Sequence, residues 1–261
     1  MERFFLSDLI SKSQVIEKES FIKQKCKNKV VLDLGCIRHD ASFANNPNWL
    51  HNEIKNVAKK VIGIDFLGDE VKKLQGLEYK ILFGDVTKPL NLSEKFDVIV
   101  AGDLIEHLSN FEGFFNNCKK FLKKDGILII TTPNPFYIDE FLYIALKNTY
   151  FVNPEHTCWI DPFTLNQLTT RFNFKIQELH FIKKRWYLKD FINENPENYY
   201  DNLKDKWIER IIPKKMKKIK NEIIKKLYMI FSKSFLRILS YNMRLIKYSD
   251  YIAVLKVKQI K

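Results

Sequence analysis

Four aspartates stand at the ends of short apolar runs: Asp33 in VVLDLG, Asp65 in VIGIDF, Asp85 in ILFGDV and Asp103 in VIVAGD. A carboxylate ending a buried strand suits a ligand rich in donors. Asp65 would accept both hydroxyls of a ribose diol, and Asp85 the exocyclic amine of adenine. Taken singly, each is as well explained as a helix cap; four in equivalent positions form a constellation. Two histidines add a second kind of chemistry. His107 follows the fourth run in DLIEH, and His156 lies in PEHTCW. Imidazole changes charge near neutrality, which makes both candidate general bases. The other histidines are His39, His51 and His180.

Elements must bring these residues to one place. The runs at Val30–Leu34, Val61–Asp65, Tyr79–Asp85, Phe96–Asp103 and Gly126–Thr131 are short and apolar throughout, as strands buried on both faces are. Helical patterns separate several of them: Trp49 to Lys60 after Pro47-Asn48, and Phe111 to Lys124, ending at Asp125-Gly126. This order predicts a parallel sheet with helices on each side, its carboxylates along one edge. Asp161-Pro162 opens a helix to Arg171, and Phe174 to Ile182 reads as a strand. A helical insertion then runs from about Trp186 to Lys247, and Asp250 to Val257 returns as a last strand. The expected organisation is one domain: an N-terminal helical cap over 1–28, a core over 29–182, a basic helical insertion over 183–247 and the final strand over 250–257. Asn134 to Trp159 reads as a further addition.

Composition narrows the class. With 261 residues, 46% hydrophobic and 29% charged, the chain is globular and long enough to need no disulfide or metal staple. No apolar run nears the roughly 20 residues of a membrane span. MERFFLSDLISKSQ lacks a signal-peptide layout, so a cytoplasmic location is expected. Cys26, Cys36, Cys118 and Cys158 have no zinc-site spacing, and no metal is expected, although the acid-rich turn of Asp103, Glu106 and His107 can be mistaken for a metal site. The net charge of +13 is localised: from Lys204 onward there are 17 Lys/Arg and 4 Asp/Glu, and the rest of the chain holds 27 of each. That excess suits an anionic partner or the inner face of a membrane, touched peripherally; a solvated lysine-rich helix face explains it as well.

The segments VLDLGC, VIGIDF, FGDV, FDVIVAGDLIEHL and GILIITTPN together resemble the successive motifs of class I S-adenosylmethionine-dependent methyltransferases, from about Lys29 to Phe181. The resemblance implies a Rossmann-like, seven-stranded mixed sheet with its last strand, Asp250 to Val257, antiparallel. It implies S-adenosyl-L-methionine as cofactor and S-adenosyl-L-homocysteine as product. Asp33, Gly35 and Cys36 would line the methionine part, Asp65 would bind the ribose hydroxyls and Phe66 would flank the adenine. Asp85 and Val86 would meet the adenine edge, and Asp103 would lie near the sulfonium. The chain departs from the family's G-x-G: it reads Gly35-Cys36-Ile37-Arg38-His39-Asp40. The cofactor has no pyrophosphate, so close backbone approach matters less than in a dinucleotide site. Thirty-two residues separate Asp33 from Asp65, more than a dinucleotide fingerprint has, and fit a loop closing over the cofactor.

The N-terminal helices, the His156 segment and the insertion resemble methyltransferases of bacterial capsule and lipopolysaccharide pathways. This implies O-methylation of a sugar hydroxyl, on a nucleotide-activated sugar whose diphosphate would suit Lys183, Lys184, Arg185 or the basic insertion. His107, or His156, would take the hydroxyl proton. Met216, Ile219, Ile223, Leu227 and Phe231 fall at helical spacing within the insertion, an apolar stripe for the parent domain or a membrane surface. Two alternatives stay open: an RNA methyltransferase using the basic segment, and a non-catalytic module that binds a nucleotide or the cofactor. Nucleic acid is the less favoured partner, because Pro133-Asn134-Pro135-Phe136 follows the fifth strand and is not an adenine-N6 motif.

Overall fold

The computed structural model describes residues 2–38, 40–46, 48–137, 153–182 and 248–258. The basic insertion, with Lys183, Lys184, Arg185 and the stripe from Met216 to Phe231, lies outside them, as do His39 and most of the Asn134 to Trp159 addition. Chain contacts form two compact units. The unit described below comprises Met1–Pro135, Val152–Lys183 and Ser249–Lys261; Phe136–Phe151 and Lys184–Tyr248 form the other.

Helices α1 (Glu2–Lys12) and α2 (Lys18–Cys26) flank a two-residue strand, β1 (Val15–Ile16). Then come β2 (Val30–Leu34), a 3-10 turn over Ala41–Asn45, α3 (Leu50–Lys55), β3 (Lys60–Asp65), α4 (Gly68–Gly76) and β4 (Ile81–Phe83). β5 (Phe96–Gly102) leads through a 3-10 turn at Ile105–His107 to α5 (Phe111–Phe121) and β6 (Leu122–Pro133). α6 (Pro162–Arg171), β7 (Phe174–Ile182) and β8 (Asp250–Val257) complete the set.

The sheet order is β1-β7-β8-β6-β5-β2-β3-β4, and β8 alone runs antiparallel, between β6 and β7. The seven expected strands form with their expected last strand, and β1 adds an eighth, parallel to β7. Residues 1–28 are therefore not helical throughout; Gln14 to Ile16 extends along the sheet edge, with Phe181 N donating to Gln14 O at 2.9 Å.

Burial explains the strands. Val31, Leu32, Val98, Ile99, Val100, Ile129 and Ile130 are all within 1% of full burial. Each such side chain contributes about 1.5–3 kcal/mol on leaving water. Local chemistry sets the helix starts. The Asn110 side chain accepts from Gly113 N at 3.0 Å to cap α5; Asp161 accepts from Phe163 N and Thr164 N ahead of Pro162 to cap α6.

Three expected boundaries are corrected. The helix after Trp49 ends at Lys55, where Asn56 to Lys59 turn into β3, with Lys59 N and Lys60 N donating to Lys29 O. The stretch from Phe111 ends at Phe121 because Leu122 already pairs with Phe96. The β5–β6 register then jumps to Val98 opposite Ile127, so Asp125-Gly126 lies in a strand irregularity and not at a helix end. A Cβ on Gly126 would stand 3.0 Å from Phe96 O, which shows why glycine occupies the kink. The Tyr79 to Asp85 strand shortens to Ile81–Phe83.

Candidate active site

The strand order reverses between β2 and β5, and ligands of open α/β sheets bind in the crevice at that switch point. Gly35 leaves β2 there with φ +65°, in the left-handed region that glycine enters without strain. Its N–H donates to Ile64 O at 2.8 Å, and a Cβ would stand 2.8 Å from Leu104 Cδ1, across the crevice after β5. A side chain here would press on Leu104.

Asp65 ends β3 and is 3% exposed. Its Oδ2 accepts from Ile37 N at 2.8 Å and its Oδ1 from Leu67 N at 3.1 Å, with the Phe66 amide also bonded. Burial pushes its carboxyl above the usual range, against those amides. An ionised carboxylate offers about four acceptor positions. A ribose diol needs two, so full engagement displaces one amide; Ile37, which comes from a separate segment, can leave without unwinding the Phe66-Leu67 turn. Phe66 beside it and Phe83, opposite Asp65 in the β3–β4 register, are each 68% exposed, which gives an adenine two apolar faces near this edge. Asp85 lies two residues beyond β4, its Oδ1 accepting from Thr87 N at 2.9 Å and Thr87 Oγ1 at 2.7 Å. The Thr87 hydroxyl, ahead of Lys88, holds its carboxyl below the ordinary value. Val86 is buried and its carbonyl accepts from Asn117 Nδ2 at 2.8 Å.

Asp33 and Cys36 sit deeper. Asp33 Oδ2 bonds His51 Nδ1 at 2.8 Å, both residues nearly fully buried, and His51 Nε2 has no partner. Burial, followed by the charges of Asp33 and Asp65, pushes the Cys36 thiol far up, so it stays protonated and unreactive. The Cys36 carbonyl accepts from Trp49 Nε1 at 2.7 Å. The segment that lacks the second glycine is thus held by α3 and its approach, through Trp49 and His51, and by Asp65.

Asp103 follows β5 with φ +50°. Thr131 Oγ1 donates to its Oδ1 at 2.6 Å, and Lys18 of α2 reaches its Oδ2 at 2.5 Å. Burial, the largest single influence, would lower the Lys18 pKa, but the charge and hydrogen bond of Asp103, with the charges of Glu19 and Asp250, together outweigh it and the net direction is up. His107 and His156 meet: their ring centroids are 4.7 Å apart, edge to face. The join is built on Glu106, whose carbonyl accepts from Thr157 N at 2.8 Å, while Thr157 Oγ1 donates to Leu108 O at 2.9 Å. Tyr251 Oη donates to Ile160 O at 2.9 Å and ties the same segment to β8.

Two groups have the residue types of cation sites, each with donor atoms within 4.8 Å of one another: Asp33, Cys36 and His51, and Glu106, His107 and His156. In the first the carboxylate is committed to His51 and the thiol keeps its proton. In the second the Glu106 carboxyl is pushed up to about 8 by burial and then by Asp103, and so favours a proton. In the sequence Glu106 stands out only with Asp103 and His107, as an acid-rich turn that can be mistaken for a metal site; Lys18, Trp49 and His51 carry no signal there and depend on long-range packing.

Comparison with known proteins identifies the family. Residues 13–179 match the family described as methyltransferase domain. A tRNA U34 carboxymethyltransferase of Campylobacter lari is 26% identical over 226 residues, covering 66% of this chain and 74% of its own length. A mitochondrial ubiquinone biosynthesis O-methyltransferase of Rattus norvegicus is 29% identical over 128 residues, covering 45% of this chain and 34% of its own length. Several such matches thus span well under two thirds of the relative. The fold is shared with a methyltransferase structure from Bacillus halodurans (TM-score 0.53, 16% identity, covering 93% of this chain and 98% of that one). It is shared likewise with an S-adenosylmethionine-dependent methyltransferase from Archaeoglobus fulgidus (0.52, 17%, 91% and 94%). With a left-handed glycine at the switch point, a strand-end Asp65 and a family match over most of the folded core, the chain belongs to the class I S-adenosylmethionine-dependent methyltransferases.

Proposed function

We propose that this methyltransferase moves the methyl group of S-adenosylmethionine onto a hydroxyl of a sugar or glycan intermediate, with a nucleotide-activated sugar as the acceptor. The observation that carries the reading is the meeting of His107 and His156, from separate segments, beside the cofactor edge. When bound, the cofactor supplies an electrophilic methyl whose bonding pair to sulfur stays with sulfur. A sugar hydroxyl does not give up its proton unaided at neutral pH. His107 takes that proton as the new carbon–oxygen bond forms, and His156 packs edge-on to hold the ring. Asp65, Phe66, Asp85 and Val86 hold the adenosine, and Gly35 and Cys36 pass the methionine arm. Asp33 acts from behind, through His51. Lys183, Lys184, Arg185 and the basic stretch from Lys204 onward suit an acceptor diphosphate. The reading carries with it a cytoplasmic location, with the basic segment available to an anionic membrane face. Among the described residues no helix is long and apolar enough to cross a membrane.

The test is a mass-spectrometric screen of nucleotide sugars for the gain of one methyl group, with His107→Ala as control. A protein that binds S-adenosylhomocysteine yet methylates no member of the panel removes the reading. A second reading, an RNA acceptor, is favoured by the likeness to the Campylobacter tRNA enzyme together with the localised positive charge. It requires tRNA binding that falls steeply with salt.

A further inference from the structure

Glu106 lies between Asp103 and His107 and has no part in the chemistry given so far. Its side chain is 2% exposed. Oε2 accepts from Thr132 Oγ1 at 3.0 Å, and Oε1 is buried with no hydrogen-bond partner. An oxygen left so costs free energy, and a carboxylate more than a carboxylic acid. The donor atoms of Glu106, His107 and His156 all lie within 4.8 Å of one another, a separation that one bridging water spans.

We propose that Glu106 is the proton-sharing partner of the His107–His156 pair, a positioning residue that stabilises the imidazolium formed when the pair takes the acceptor's proton. The inference rests on the reading of His107 as the base. The proton leaves the hydroxyl oxygen for the neutral imidazole. Where Glu106 is ionised, increasingly from about pH 8 upward, the imidazolium is paired with its carboxylate, or hands it the proton outright. After the product leaves, the proton returns to water through half-buried His107 and His156. The groups facing Glu106 fit the task. Asp103 stands on one side, its charge balanced by Lys18 of α2; Thr132 of β6 supplies the hydroxyl. Burial, and after it the nearby Glu106, discourages ionisation of Cys158; burial, then Asp161 and Glu106, do the same for Tyr251, so both stay neutral. Burial and Asp103 bring the carboxyl's proton affinity up to about 8, near that of imidazole, so a proton passes between them at small cost and the groups titrate as a unit.

The test needs no acceptor. Histidine-labelled full-length protein is titrated by NMR, with His107 and His156 assigned through their His→Asn variants. Wild type should show both rings responding near pH 8, as Glu106 titrates. In Glu106→Gln, which keeps the shape and a partner for Thr132, this response should vanish; in Glu106→Asp it should return. Unchanged ring titrations in a Glu106→Gln protein of wild-type melting behaviour overturn the proposal. So does a divalent cation that wild type retains through dialysis and Glu106→Gln loses, since Glu106 would then be a ligand. On any acceptor found in the methyl-gain screen, Glu106→Gln should lower kcat at least tenfold, leave KM near wild type and erase the limb near pH 8. A failed screen with intact NMR coupling rejects the sugar reading and leaves the proton sharing standing.

Discussion

Replacing Gly35 by alanine tests whether the crevice is built as described. Two costs add. A non-glycine residue at φ +65° is disfavoured by about 1–2 kcal/mol. The new Cβ would also lie 2.8 Å from Leu104 Cδ1, closer than real Cβ atoms come, and 3.3 Å from Cδ2, and overpacking of this kind costs about 1–3 kcal/mol, least where the leucine tip gives way. The stiffer unfolded chain returns about 0.4–1 kcal/mol. The net loss should be about 1–5 kcal/mol, read from urea denaturation at constant m-value. Leu104→Ala separates the parts. In that background Gly35→Ala should lose the overlap cost and keep the conformational one, so the two substitutions should couple by about 1–3 kcal/mol, well beyond the few tenths expected of independent sites. On the proposed path of the methionine arm past Gly35, Gly35→Ala should also weaken S-adenosylhomocysteine binding in titration calorimetry in both backgrounds. Strict additivity, or an alanine variant as stable as wild type with unchanged binding, would refute the placement of Gly35 against Leu104.

Asp65→Ala should weaken S-adenosylmethionine binding by roughly 1.5–3 kcal/mol, the scale of hydrogen bonds to a charged group; an unchanged dissociation constant in a folded variant takes Asp65 out of the site. Glu106 binds a proton up to about pH 8 when folded but only to its ordinary value of 4.5 when unfolded, so stability falls as pH rises through that window. Glu106→Gln should flatten this fall, and equal losses of Tm between pH 5 and 9 in both proteins would show that the carboxyl is not perturbed. His107→Ala should cut kcat by about 10²–10⁴ with cofactor affinity kept; if His156→Ala does so instead, the two histidines exchange roles. Reversing Lys217, Lys218, Lys225 and Lys226 should reduce association with anionic vesicles while turnover of a soluble acceptor persists, and vesicle binding that survives the reversal excludes these lysines as the contact.

The strands were legible because their runs are apolar on both faces, and a buried parallel strand has no other way to be written. Asp65 could be placed at a strand end from VIGIDF alone. The second N-terminal element could not be read, since Val15-Ile16 is too short to show alternation and finds its conformation by pairing with β7. The end of α5 was misread because Gly126 carries the signal of a helix stop, while the tertiary pairing of Leu122 with Phe96 had already drawn the chain into the sheet. In the site, the histidines were chosen by type and their meeting was not foreseeable. It depends on Thr157 bonding the Glu106 carbonyl across fifty-one residues of chain. Asp33 was read as facing the ligand, and nothing near it in sequence announces that His51, on a helix after a long loop, claims its carboxylate.

The bond from Ile37 N to Asp65 makes the loop an intramolecular competitor for the position a ribose diol would occupy. With Asp65 in its proposed role, cofactor affinity would be the difference between two occupancies of one carboxylate, lower than the contacts to the diol alone would give. The same bond would favour turnover, because a departing nucleoside would leave behind an aspartate that its own chain can satisfy at once. Asp65, buried as it is, would not be left bare. Product release would then be helped by a competitor present at the same effective concentration, whatever the supply of cofactor.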